Sequence, residues 1–182
     1  MPDAPERRSA RMFFALWPGT DVRRSLTRQG LKMQRLLGGK LTREESVHLT
    51  LVFLGDVALE RLPALQARAA AVRFEPFVLR LELAGCWRHN GIGWVGPNET
   101  PAALVRLVAG LEDALEGEGF RFDRRPYAAH ITLLRKARCT PMDPGMPAID
   151  WPVRDFVLVR SELGNEGSRY TIVERWQARE ET

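Results

Sequence analysis

Lysine is almost missing from this chain. Only Lys32, Lys40 and Lys136 stand among the 27 basic residues of its 182 positions, so arginine carries nearly all of the positive charge. The net charge of +4 is a mild basic excess, which favours anionic partners. Guanidinium forks match phosphate oxygens two at a time, although a bias in codon composition would give the same arginine count. Cysteine is equally scarce. Cys86 and Cys139 are the only two, far apart and without CxxC spacing, which excludes a cysteine metal cluster and a disulfide framework. Reduced, partly buried thiols of a cytoplasmic protein are expected. No apolar run approaches the ~20 residues of a membrane span. The first ten residues lack the apolar stretch of a signal peptide. Residues 1–10 therefore read as a flexible tail and 11–182 as one domain, with no low-complexity linker inside it.

What is present suffices for one sizeable core, with 45% apolar and 27% charged residues. A buried strand is expected over residues 11–17, closed by Pro18-Gly19. A helix follows, with Val22, Leu26, Met33 and Leu37 at helical spacing, and Gly38-Gly39 ends it. A brief strand is expected at 40–43, a strand from residue 48 to a turn at Gly55-Asp56, and a helix over 59–72. The alternating stretch 77–84 reads as a strand with one wet face. Residues 86–95 read as a hairpin turning at Asn90-Gly91, and 101–116 as a helix. Residues 139–152, with four prolines, read as an irregular connection. Two final strands are expected over 153–163 and 169–176. Hairpins demand antiparallel neighbours, so the class is α+β. The expected form is two half-size antiparallel sheets, related by an approximate two-fold axis, with helices outside and a central groove.

Histidine, with three copies, is the informative rarity. Two of the three open matching runs, His48-Leu49-Thr50-Leu51 and His130-Ile131-Thr132-Leu133. On a strand, side chains two apart share a face, so each run presents an imidazole beside a hydroxyl while the aliphatics point the other way. Two such faces brought to one cleft suit acid–base chemistry at phosphorus. One imidazole takes a proton and the other gives one, while hydroxyls and a nearby Arg135 bind the anion's oxygens. No carboxylate or cysteine accompanies either histidine, so no metal is expected. His89 lacks a Thr partner and reads as a surface residue of the turn. Phe53 and Arg135 each lie five residues after their histidine. A regular strand sends both to the opposite face, which makes Phe53 a core residue unless a bulge intervenes.

The pattern resembles the two-histidine (2H) phosphoesterases, and within them the RNA 2′,3′-cyclic phosphodiesterases, also called 2′-5′ RNA ligase-like proteins. The likeness is carried by Arg11 to Leu16, His48 to Gly55, Ile92 to Gly96, Arg125 to Arg135 and Tyr170 to Trp176, with Ala129 where relatives often have Pro. It implies a bilobal fold, no cofactor, and opening of a 2′,3′-cyclic phosphate at an RNA end to a 2′-phosphate. It also implies roles. His48 would protonate the leaving 3′-oxygen and His130 would activate water. Thr50, Thr132 and Arg135 would hold the phosphate, and Phe53 would stack on the terminal base. A cytoplasmic monomer without a membrane partner is expected. The alternatives are another 2H activity on small cyclic nucleotides, reversible 2′-5′ RNA ligation, or a non-catalytic RNA-end binding protein.

Overall fold

The computed structural model describes residues 8–165 and 167–179. Nine antiparallel strands and three helices form in the order β1 (Ser9–Leu16), α1 (Thr20–Leu37), β2 (Lys40–Leu41), β3 (Leu49–Ala58), α2 (Leu62–Ala71), β4 (Phe77–Trp87), β5 (Ile92–Gly96), α3 (Ala102–Gly117), β6 (Ile131–Arg135), β7 (Gly145–Val153), β8 (Asp155–Gly164) and β9 (Gly167–Gln177). Of the expected tail, residues 1–7 lie outside the described residues, and Ser9 and Ala10 already belong to β1.

Strands pair in the order β7-β4-β5-β6-β3-β1-β8-β9, with β2 added beside β6. The two halves expected from the repeat are there, four main strands each, but they are not separate sheets. They meet at the centre through a single registered pair, Leu49 with Ile131. The unit β1-α1-β3 is repeated as β5-α3-β6, and each closes with its histidine-bearing strand at the seam.

The helices cover one face of this sheet and cross the seam. Helix α1 buries Leu26, Gly30, Met33 and Leu37, a stripe set by the 3.6-residue period, and lies against β6 and β7 rather than its own half. Gly30 allows the approach: a Cβ there would come within 2.7 Å of the Leu41 side chain. Helix α3 buries Leu104, Leu107, Val108, Leu111 and Leu115 and packs against β3. Together with Met12, Phe14, Leu16, Leu49, Leu51, Ile131 and Leu133 these make one continuous core. Each fully buried Leu contributes about 1.5–3 kcal/mol, so the crossing helices fasten the halves that one strand pair barely joins.

Three expectations need correction. Residues 145–153 are not irregular; they form β7, paired with β4 at the sheet edge. An edge strand accommodates Pro147 and Pro152 because one side of its ladder has no partner to lose. Strand β3 does not stop at Gly55-Asp56, because Gly55 takes φ +67° and the chain continues in extended form to Ala58. Cys86 and Cys139 are not free thiols but a disulfide, with Cα atoms 5.4 Å apart.

Candidate active site

The Leu49–Ile131 pair sets the site. Both side chains are fully buried on the helix-covered face. Continuing this antiparallel register one residue either way puts His48 across from Thr132 and Thr50 across from His130. Strand alternation turns all four toward the face that the helices leave uncovered. The neighbouring strands repeat the arrangement, with Ala15 of β1 beside Thr50 and Trp94 of β5 beside Thr132.

Each half then breaks alternation at the same place. Beside β1, Val52 pairs with Phe14 and Thr50 with Ala15, which leaves Leu51 as an extra residue. Beside β5, Leu134 pairs with Gly93 and Thr132 with Trp94, which leaves Leu133 extra. These are β-bulges. Leu51 and Val52 are both buried, as are Leu133 and Leu134, so alternation resumes one residue late. Phe53 therefore pairs with Phe13 on the histidine face, packed beside Phe13, Ala15, Val157 and Val159, and the core position expected from parity is overturned. The Arg11 guanidinium lies 4.9 Å from the Phe53 ring centre. Arg135, the equivalent residue of the other half, is exposed, and its charge disfavours protonation of His48.

The imidazoles are held alike. Nδ1 of His48 lies 2.7 Å from the Ser46 carbonyl, and Nδ1 of His130 lies 2.8 Å from the Ala128 carbonyl. A carbonyl only accepts, so Nδ1 carries the proton in both, and each neutral ring keeps its Nε2 lone pair for the groove. The threonine backbones are pinned too. Tyr127 Oη donates to the Thr50 carbonyl at 3.1 Å, and Thr42 Oγ1 donates to the Thr132 carbonyl at 3.0 Å. Burial pushes the Tyr127 hydroxyl pKa upward, so it stays a donor.

Around the rings the halves diverge. The indole of Trp17 stacks on His48 with a 4° interplanar angle and centroids 5.1 Å apart. Phe13 and Tyr170 close in at 4.9 and 5.2 Å. Among the described residues, His130 meets a single aromatic ring, Trp87, edge-on at 4.6 Å. Burial pulls His48 from 6.5 down to about 4, opposed by the Ser46 hydrogen bond and aided by the Arg135 and His130 charges. His130 is also lowered by burial, opposed by its bond to Ala128. His89 is exposed in the β4–β5 turn, beside Trp87.

Sequence reasoning missed Trp17, Tyr170, Phe13, Trp87 and Tyr127. Phe13 on β1 and Trp17 just past its end share parity, but nothing local says which residue of another strand they face. Among the described residues, no three His, Cys, Asp or Glu side chains converge to hold a metal ion.

Two HxT strands joined at the centre of a pseudo-symmetric antiparallel sheet define a two-histidine phosphoesterase. A model described as LigT-like phosphoesterase matches the chain twice, over residues 18–94 and 95–170, one match for each copy of the repeat. The chain belongs to the LigT-like phosphoesterase family. It is 32% identical to the RNA 2′,3′-cyclic phosphodiesterase of Escherichia coli, over 91% of this chain and 95% of that one. The protein of the same description from Thermus thermophilus is 35% identical, over 94% and 91%. The crystal structure of E. coli LigT complexed with 3′-AMP superposes with a TM-score of 0.86 at 30% identity, covering 95% of this chain and 100% of that one.

Proposed function

We propose that this protein hydrolyses 2′,3′-cyclic phosphate ends of RNA to 2′-phosphates, without a metal or cofactor. The observation that carries the reading is the single Leu49–Ile131 pair, which gathers two imidazoles and two hydroxyls on one face. Relatives named for this reaction support it. Thr50, Thr132 and Arg135 bind the non-bridging oxygens, which gain charge as water attacks. His130 Nε2 takes the proton of the attacking water, the P–O3′ bond breaks, and His48 Nε2 gives a proton to the departing 3′-oxygen. The products are a 2′-phosphomonoester and a free 3′-hydroxyl. Free His48 is neutral at pH 7, so it takes up its proton as the anionic phosphate enters and offsets the cost of charging a buried ring. Phe53 stacks on the terminal base.

One chain supplies both half-sites, which supports action as a monomer. Its RNA substrate supports the cytoplasm as its place of work, against the Cys86–Cys139 disulfide, a bond that reducing compartments disfavour. The test is incubation with RNA ending in a 2′,3′-cyclic phosphate in excess chelator, with products resolved by regiochemistry. A 2′-phosphate formed at the chelator-free rate is expected. A loss of activity restored by one divalent ion would sink the metal-free mechanism, and binding without turnover would leave only an RNA-end binder.

A further inference from the structure

At one end of the groove, the β4–β5 turn folds onto the segment that leaves β6. Backbone hydrogen bonds hold that segment in place. The Ala137 amide donates to the Gly91 carbonyl at 2.9 Å, and the Arg138 amide donates to the Leu37 carbonyl at 2.7 Å. The Cys86–Cys139 disulfide ties β4 to the same segment. Gly91, at φ +65°, packs so closely that a Cβ would lie 3.2 Å from the Ala137 carbonyl oxygen. The pocket left beside the turn is lined by Arg88, Ala137, Arg138, Cys139, Thr140 and Pro141.

None of those residues is acidic. Arg88 and Arg138 are exposed, and among the described residues neither guanidinium has an ion pair or a hydrogen bond. Elsewhere, Arg80, Arg124 and Arg175 are each engaged by a carboxylate. The pocket is also tied to the site along the chain. Arg88 directly follows Trp87, whose ring meets His130, and Arg138 lies three residues beyond Arg135. Two guanidinium forks on a braced backbone suit the paired oxygens of a phosphodiester. Bracing also lowers the ordering cost of binding.

We propose that Arg88 and Arg138 form a second phosphate site, which takes an internucleotide phosphate of the RNA upstream of its cyclic end. The preferred substrate is then an oligonucleotide rather than a cyclic mononucleotide. This rests on the phosphodiesterase reading, and two separate measurements test it. The first is binding of a short 5′-fluorescent RNA ending in a 2′-phosphate, followed by anisotropy over a salt series. The second is hydrolysis of 2′,3′-cyclic AMP.

The double variant Arg88→Ala/Arg138→Ala should bind the oligonucleotide about tenfold more weakly. Its log–log salt slope should fall by about 0.7, the change expected when one phosphate of a single strand is left unneutralised. Its turnover of cyclic AMP should equal that of the wild type, which also reports that it has folded. The Lys/Lys variant should keep most of the affinity and the slope. Should the double variant not fold, each single variant should show about half the change in slope. Unchanged oligonucleotide affinity and slope would overturn the second site. If the wild type hydrolyses no cyclic phosphate while the variant still loses RNA affinity, the catalytic reading fails and the phosphate site stands.

Discussion

The half-site around His48 and the half-site around His130 share a backbone and differ in their walls. Both have Nδ1 fixed by the carbonyl two residues back, a threonine beside the ring, and a bulge straight after it. What lies across the strand from each imidazole differs. Extending the β1–β3 register puts Trp17 opposite His48, and the indole covers the ring. Extending the β5–β6 register puts Gly96 opposite His130, where a Cβ would press to 2.7 Å from the Ala129 carbonyl oxygen. The bulges deliver different cargo as well, an aromatic ring at Phe53 and a cation at Arg135. Duplication supplies two equivalent places for a proton. Divergence makes them unequal, so that one ring can hold a proton while the other waits for one.

The largest expected effect comes from removing either ring. His48→Ala and His130→Ala should each lower kcat/KM by at least ~10²-fold, and near-normal turnover in either would end the paired mechanism. A substrate with sulfur in place of the bridging 3′-oxygen sharpens the comparison, because a thiolate leaves without protonation. On that substrate His48→Ala should recover rate and His130→Ala should not. Recovery in His130→Ala instead would exchange the two roles.

The products of the two bulges come next. Arg135 is proposed to meet a phosphate whose charge is redistributed as the ring opens, so Arg135→Ala should lower kcat as well as raise KM. Lys should rescue it poorly because a point charge lacks the fork. Phe53 is proposed to face a base that does not react, a stacking interaction of ~1–3 kcal/mol. Phe53→Ala should therefore mainly raise KM, and Phe53→Leu should raise it less. A Phe53→Leu enzyme with unchanged KM would remove the stacking role.

These bulges mark where sequence reading stops. Alternation puts each His and its Thr on one face and the aliphatics on the other, and that arrangement is present. It fails at Phe53 because the extra residue at Leu51 is a choice made with β1, visible only once Ala15 is known to pair with Thr50. The edge strand β7 is hidden by its prolines, which argue against a central strand and not against an edge one. The disulfide joins positions 53 apart, and no local spacing signals such a pairing. The repeat itself is legible in the two HxT runs, but how the halves join is not, since one residue pair makes the seam.

The smallest expected effect concerns Trp17 and would be read as a shift in pH rather than a loss of rate. In the proposed mechanism the active pair holds one proton between its two rings, so activity should fall below the lower of their two pKa values and above the higher. His48, held near 4, sets the acid limb whichever ring is the acid. Its depression comes first from burial, and Trp17 is the ring lying flat on it. Trp17→Ala lets water reach the imidazole, so the His48 pKa should climb toward 6.5 and the acid limb of kcat/KM should move up with it. The alkaline limb, set by His130, should stay in place. Trp17→Phe keeps a ring over His48 and should leave both limbs nearly unchanged. With only three histidines in the chain, imidazole NMR can follow each titration directly. Stability follows the same sign. The unfolded chain takes up a proton near pH 6.5 that folded His48 refuses until about 4, so the folded state loses stability as pH falls through that window. Trp17→Ala should narrow the window from its lower end. An acid limb and a His48 titration that stay put in Trp17→Ala would show that Phe13, Tyr170 and the Arg135 charge keep the ring neutral, and the asymmetry of the two half-sites would then rest on them.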